Sequence, residues 1–162
     1  MLKLKIFVTA LLVSLFAMAS LPAPAQLADK KALTLEAAKK IAVAAEAEAK
    51  KNSWNVVIAI VDDGGHLIYL QRMDGTQTGS VDVAIKKAQT AINFKRPTKV
   101  FEDAVAGGRQ VILALHGALP IEGGVPVTVG GQIIGAIGVS GVKSTEDGQI
   151  AKAGADAASG LN

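Results

Sequence analysis

Four side chains of this 162-residue chain stand where chemistry could be done: His66, Arg72, Arg96 and Glu122. His66 follows the turn DDGG. Its imidazole could ligate a metal or bind an anion, or simply be satisfied by turn carbonyls. Arg72 opens the run Arg72-Met73-Asp74-Gly75, and Arg96 follows Lys95 and precedes Pro97. A guanidinium is a planar fork suited to gripping a carboxylate, so both arginines are candidate ligand contacts. The competing role is pairing with Asp74, Glu102 or Asp103. Glu122 leads into Gly123-Gly124-Val125-Pro126, where side-chain-free amides could hold an anion. The charge of Glu122 opposes that, and suits a ligand that donates a hydrogen bond instead.

Enzyme chemistry has no comparable support. An enzyme site would show a nucleophile beside a base, or a pair of carboxylates. Ser140 lies in GVSG, which is not the G-x-S-x-G elbow. Asp62-Asp63 is accounted for by its turn. The chain has no cysteine, which excludes thiolate catalysis and cysteine-held zinc or iron–sulfur sites. No catalytic residue and no metal site is assigned.

The elements that must position these residues are legible in outline. In LEAAKKIAVAAEAEAKK, Leu35, Ala38, Ile41, Ala42, Ala45 and Ala49 recur at helical spacing, after a capping Thr34 and before a stop at Asn52. NVVIAIV, the turn DDGG and HLIYLQRM read as a hairpin. A second helix carries Val81, Ala84, Ile85, Ala88 and Ile92 up to Pro97, and Thr98 is expected to cap a short third one. RQVILALHG suggests a further strand. VPVTV, Gly130-Gly131 and QIIGAIGV form a second hairpin, and Ser144-Thr145-Glu146-Asp147 resembles a capping box opening a last helix. This order predicts an α+β fold: an antiparallel sheet of about five strands with flanking helices.

The glycines of EGGVPVTVGGQIIGAIGVSG, Glu122 to Gly141, form neither a dinucleotide fingerprint nor a phosphate loop. Inside a strand, glycine marks a bulge or a close approach by another body. That body is either an alanine-faced helix or a ligand. Pro126 lacks an amide donor, which places its strand at a sheet edge. The ends of the two hairpins are expected to meet around a shallow receptacle between Met73 and Gly124.

Composition narrows the partners. Hydrophobic residues make up 50% and aromatic ones 4%, so the core is aliphatic. Residues 1–25 read as a signal peptide, with Lys3 and Lys5, the apolar run Ile6 to Ala19, and Ala23-Pro24-Ala25 as a cleavage site. Residues 26–162 then form a single domain, placed in the periplasm or outside the cell. Without that leader, 15 basic residues face 14 acidic ones, a net +1. The lysine pairs, Lys86-Lys87 among them, read as solvated helix faces, and nothing suggests a nucleic-acid partner.

VDDGGHLIYLQRMDG, FKRPTKVFEDA and PIEGGVPVTVGGQIIGAIGVSG, in this order, resemble the GlcG/HbpS haem-binding-like family, which is similar to the C-terminal domain of PduO. The resemblance runs from about Leu33 to the C-terminus. It implies a profilin-like fold, a homo-oligomer, and haem or a related tetrapyrrole as ligand, in a sensing or storage role. On it, the expected binding residues are His66, Arg72, Met73, Asp74, Arg96, Glu122, Gly123, Gly124, Val125 and Pro126. His116, in LALHGALP, stands where the family pattern favours proline and is a weaker candidate ligand. The first helix holds no His, Tyr or Met, so it supplies no axial ligand. Two other readings stay open. One is an enzyme or accessory protein acting on a small hydroxy- or oxo-acid. The other is an interaction module that modulates another periplasmic or membrane sensor protein.

Overall fold

A computed structural model describes residues 26–161, and the expected leader lies outside them. Residues 26–30 belong to a unit separate from the domain that begins at Lys31 and are exposed coil. Among the described residues no helix is long and apolar enough to cross a membrane.

The domain runs α1 (Leu35–Lys51), β1 (Val57–Asp62), β2 (Leu67–Arg72), α2 (Ser80–Phe94), α3 (Lys99–Ala106), a 3-10 turn (Gln110–Ala114), β3 (Gly124–Val129), β4 (Gln132–Ser140), α4 (Ser144–Asp156) and a terminal 3-10 turn (Ala157–Gly160). The sheet has the order β2-β1-β4-β3 and is antiparallel throughout. The α+β class holds, with four strands rather than about five.

The missing strand is RQVILALHG. Its apolar run suggests a strand, but its backbone closes short local bonds, Ile112 N to Arg109 O (3.2 Å) and Leu115 N to Ile112 O (3.0 Å). Its aliphatic side chains Val111, Leu113 and Leu115 point to solvent.

Alternation along the strands separates two faces. Val56, Ile58, Ile60, Ile137 and Val139 pack with Ile41, Ala45 and Ile150 of α1 and α4. Burying one such aliphatic side chain contributes about 1.5–3 kcal/mol, so this face holds the main core. Val57, Ala59, Val61 and Ala136 turn the other way, towards the alanines of α2. α1 buries the expected stripe except Leu35, which is half exposed at the first turn. Leu33, just ahead of the Thr34 cap, is buried in its place and lies against Gly135.

The two alternatives for the strand glycines are resolved at Gly138. A Cβ there would overlap Ala84 O and Ala88 N of α2, so the approaching body is a helix. That helix is the second alanine-faced one, not α1. Gly130 and Gly131 both have positive φ, as the two-residue turn requires. Pro126 does lie on an edge strand, β3.

Thr98 stands at the N-cap of α3 as expected, while the expected cap of α4 is displaced by one residue. Thr98 precedes α3, but its hydroxyl accepts from Gly124 N (2.9 Å) while its own N–H donates to Gly124 O (2.9 Å), tying α3 to the start of β3. At α4 the capping residue is Lys143, whose N–H donates to Glu146 Oε2 (3.1 Å), leaving the Ser144 hydroxyl free to donate to Glu102 Oε1 (3.1 Å).

Candidate functional site

The start of β3 is where helices from both sheet faces converge. Lys87 of α2 reaches past the strand end, and its Nζ donates to Val139 O (3.0 Å) and to Asp147 Oδ2 of α4 (2.8 Å). Gly123, with φ of 128°, lies under this pair, and a Cβ on it would fall 2.8 Å from Lys87 Nζ. At Gly124 a Cβ would strike the Lys87 carbonyl. The double glycine is therefore required by protein packing first. Lys87 contradicts its expected place on a solvated face. It falls on the buried stripe Ala84-Lys87-Ala88-Ala91, and burial there is sustained by Asp147. Burial pushes the Asp147 carboxyl up, and the Lys87 ammonium opposes that rise.

Outside this pair lies a cleft of about 290 Å³. Gly123, Gly124 and Gly148 give it backbone walls, Pro97 and Val125 apolar ones, and Lys99, Glu122, Lys152 and Asp156 a charged rim. Glu122 is held in place from both ends. Its N–H donates to Glu102 Oε2 (2.5 Å), and its carboxylate lies against Gly148, where a Cβ would displace it. Its Oε2 is buried and accepts no hydrogen bond, with Lys99 Nζ 3.9 Å away. Burial pushes the Glu122 carboxyl up, Lys99 pulls it down, and Glu102 and Asp103 push it up again.

Of the expected binding residues, the fold brings Glu122, Gly123, Gly124 and Val125 together in this cleft. Pro126 lines a shallower depression beside it. The Arg96 guanidinium lies over the Phe101 ring (5.8 Å), and its Nε donates to Phe94 O (3.0 Å). The remaining residues are elsewhere. Arg72 ends β2 and Gly124 begins β3, the two opposite edges of the sheet. Three strand spacings separate those edges, roughly 14 Å. The receptacle expected between Met73 and Gly124 is therefore absent from the single chain. Met73 packs on the core, Asp74 is exposed, and His66 projects from the hairpin with Nδ1 3.5 Å from Asp62 Oδ1. Lys99, Lys152 and Asp156 escaped sequence reasoning, and Glu102 figured there only as a partner for the arginines, because they come from helices that only the fold places around Glu122.

Residues 33–156 match the family model described as haem degrading protein HbpS-like. The chain belongs to the HbpS-like family. It is 45% identical to Protein GlcG of Escherichia coli over 111 residues, 68% of this chain and 83% of GlcG. The crystal structure of HbpS superposes with a TM-score of 0.73 at 35% identity, covering 85% of this chain and 97% of that one. A PduOC:haem complex superposes with a TM-score of 0.70 at 29% identity, covering 78% and 95%.

Family membership raises haem, whose iron takes an axial donor from His, Met, Tyr or Cys. No such residue lines the Glu122 cleft, nor the larger depression of about 560 Å³ beside Lys31 and Lys40. Met73 is engaged with the core, and the Tyr69 hydroxyl donates to Gln71 Oε1 (2.9 Å). His116 is different. It is exposed on the segment that also exposes Val111 (67%), Leu113 (61%), Leu115 (37%) and Ile121 (39%). The exposed Arg109 guanidinium starts the same segment. The donor set fits haem on residues 109–121 and does not fit it in the cleft.

Proposed function

We propose that this chain is an exported haem- or tetrapyrrole-binding protein of the HbpS-like family, acting as a homo-oligomer in storage or sensing. The observation that carries the reading is His116 standing exposed on an aliphatic strip. An imidazole, flanking apolar side chains and a nearby guanidinium are what a flat, dianionic macrocycle with a metal centre asks for. The haem complex of a PduOC domain supports the ligand class. When bound, haem supplies a redox-active iron. The chain's part would be to hold it: His116 would supply the nitrogen donor, Arg109 a partner for a carboxylate, and Val111, Leu113 and Leu115 apolar cover. Export rests on Lys3, Lys5 and the apolar run that follows.

Haemin titration of the protein lacking residues 1–25 tests this. Expected is a saturable Soret shift, weakened at least tenfold by His116→Ala, about 1.4 kcal/mol, and unaltered by His66→Ala. Full binding by His116→Ala would remove the site from residues 109–121. No saturable shift would remove haem from the reading.

A further inference from the structure

The Glu122 cleft has a chemistry that the haem reading leaves unused. Each neighbouring charge is already occupied. Lys99 Nζ donates to both oxygens of Asp103 (2.7 and 2.9 Å), and Lys152 Nζ to Asp156 Oδ2 (2.5 Å). Glu102 accepts from Glu122 N and from the Ser144 hydroxyl. Among the described residues around the cleft, Glu122 Oε2 is left buried without a donor. An unmet buried acceptor is costly, the more so when ionised, so a donor brought from outside gains more here than at an exposed carboxylate. The walls it would meet are Pro97, Val125 and glycine backbone, which are apolar and close.

We propose that this cleft is a separate site for a small primary ammonium carried on a short aliphatic body. The ammonium would donate to the Glu122 carboxylate, which lines the cleft and is 15% exposed, and the aliphatic part would lie between Pro97 and Val125. Charge decides against the other small-molecule classes. Lys99 and Lys152 face Asp103, Asp156 and Glu122, two cations against three carboxylates, so a carboxylate ligand meets repulsion. An alcohol offers the hydrogen bond without the charge assistance, and charge-assisted bonds are roughly twice as strong. Size decides the body: about 290 Å³ is at the lower limit of ligand sites. Burial raises the affinity of Glu122 for a proton, and a bound ammonium would meet the same need without one.

The test is a titration of the ¹⁵N-labelled protein with n-butylammonium, n-butanol and butyrate, read at the amides of Gly123, Gly124 and Val125. Expected is saturable binding of butylammonium, with butanol and butyrate at least tenfold weaker. Glu122→Gln should lose at least tenfold of the butylammonium affinity while amides outside the cleft keep their positions. Lys99→Met removes the nearest competing cation and should tighten binding several-fold, a gain that a merely structural role for Lys99 would not give. The proposal fails if butylammonium leaves the cleft amides unmoved, if butanol or butyrate binds equally well, or if Lys99→Met weakens binding. None of these results bears on the haemin titration, which reads a different segment.

Discussion

Lys87 Nζ lies 2.8 Å from Asp147 Oδ2, and the two side chains are 1% and 3% exposed. They join α2 to α4, helices on opposite faces of the sheet, at the point where β3 begins. The carboxylate also accepts from Val142 N (3.2 Å) and the ammonium donates to Val139 O, so both charges are met on more than one side. A buried pair satisfied in this way specifies one arrangement of the two helices, even where its net contribution to stability is small.

Removing one partner should therefore cost far more than removing both. Lys87→Met leaves Asp147 buried and uncompensated, a loss of about 3–5 kcal/mol. Lys87→Met with Asp147→Leu should recover much of it. Urea unfolding of the two single variants and the double variant checks this. Additive losses would mean the pair is not coupled. The Lys87→Met deficit should also shrink at low pH. Without Lys87 the folded-state carboxyl is raised further, so its contribution is fully present below the unfolded value of 3.8 and lost as pH rises.

Gly138 sets how closely α2 packs on β4. A Cβ there would overlap backbone atoms of Ala84 and Ala88, which cannot rotate away. Gly138→Ala should destabilise by about 1–3 kcal/mol or more, the usual cost of overpacking. Gly79, with nothing within 4 Å and φ of −61°, is the control, and Gly79→Ala should be near neutral. Thermal melts of the two variants decide it, and equal melting temperatures would mean that α2 does not press on the strand.

Gly138 and the Gly130-Gly131 turn show what could be read in the sequence. Val57 to Asp62 and Leu67 to Arg72 follow from β-branched runs around DDGG, and the Gly130-Gly131 turn from its positive-φ requirement. Alternation says that Gly138 faces something close, but not which helix arrives there, because packing between distant segments leaves no local pattern. RQVILALHG misleads for a related reason. An apolar run without a fixed period fits a strand or a surface turn equally, and only the absence of a neighbouring strand decides. The cleft was half legible. Glu122-Gly123-Gly124-Val125 stands out, while Lys99 and Lys152 look like ordinary helix lysines until the fold brings them to its rim.

Glu122 should leave its mark on the pH dependence of stability. Its folded-state carboxyl is raised chiefly by burial, against the opposing pull of Lys99. A raised carboxyl contributes stability that is complete below its unfolded value of 4.5 and is lost as pH rises through the folded one. Glu122→Gln does not ionise and escapes that loss. Its melting temperature relative to the unsubstituted protein should therefore rise between pH 4 and pH 7. Glu46, Glu48 and Asp62, all lowered by their partners, titrate alike in both proteins and cancel in the comparison. A gap that narrows or reverses towards pH 7 would place the Lys99 attraction above burial.

The aliphatic strip of residues 109–121 should govern assembly as well as haem. Val111, Leu113, Leu115 and Ile121 are each more than a third exposed, and α3, which packs on the same turn, adds Val100 at 48%. Contiguous exposed aliphatics mark association surfaces, and a chain without disulfides gains stability from subunit contacts. The sheet edges β2 and β3 are less suited to pairing, because Pro126 withholds an amide donor from β3 and β2 is only six residues long. Sedimentation of the protein lacking residues 1–25 should show an oligomer, and Leu113→Glu should shift it towards the monomer. An exposed position bears that charge at little cost, so the variant's helical circular dichroism should be unchanged. Haemin affinity should fall in the same variant, since the strip proposed for the subunit contact also flanks His116. A monomeric unsubstituted protein would separate the two roles, and an oligomer indifferent to Leu113→Glu would move the subunit contact to another face.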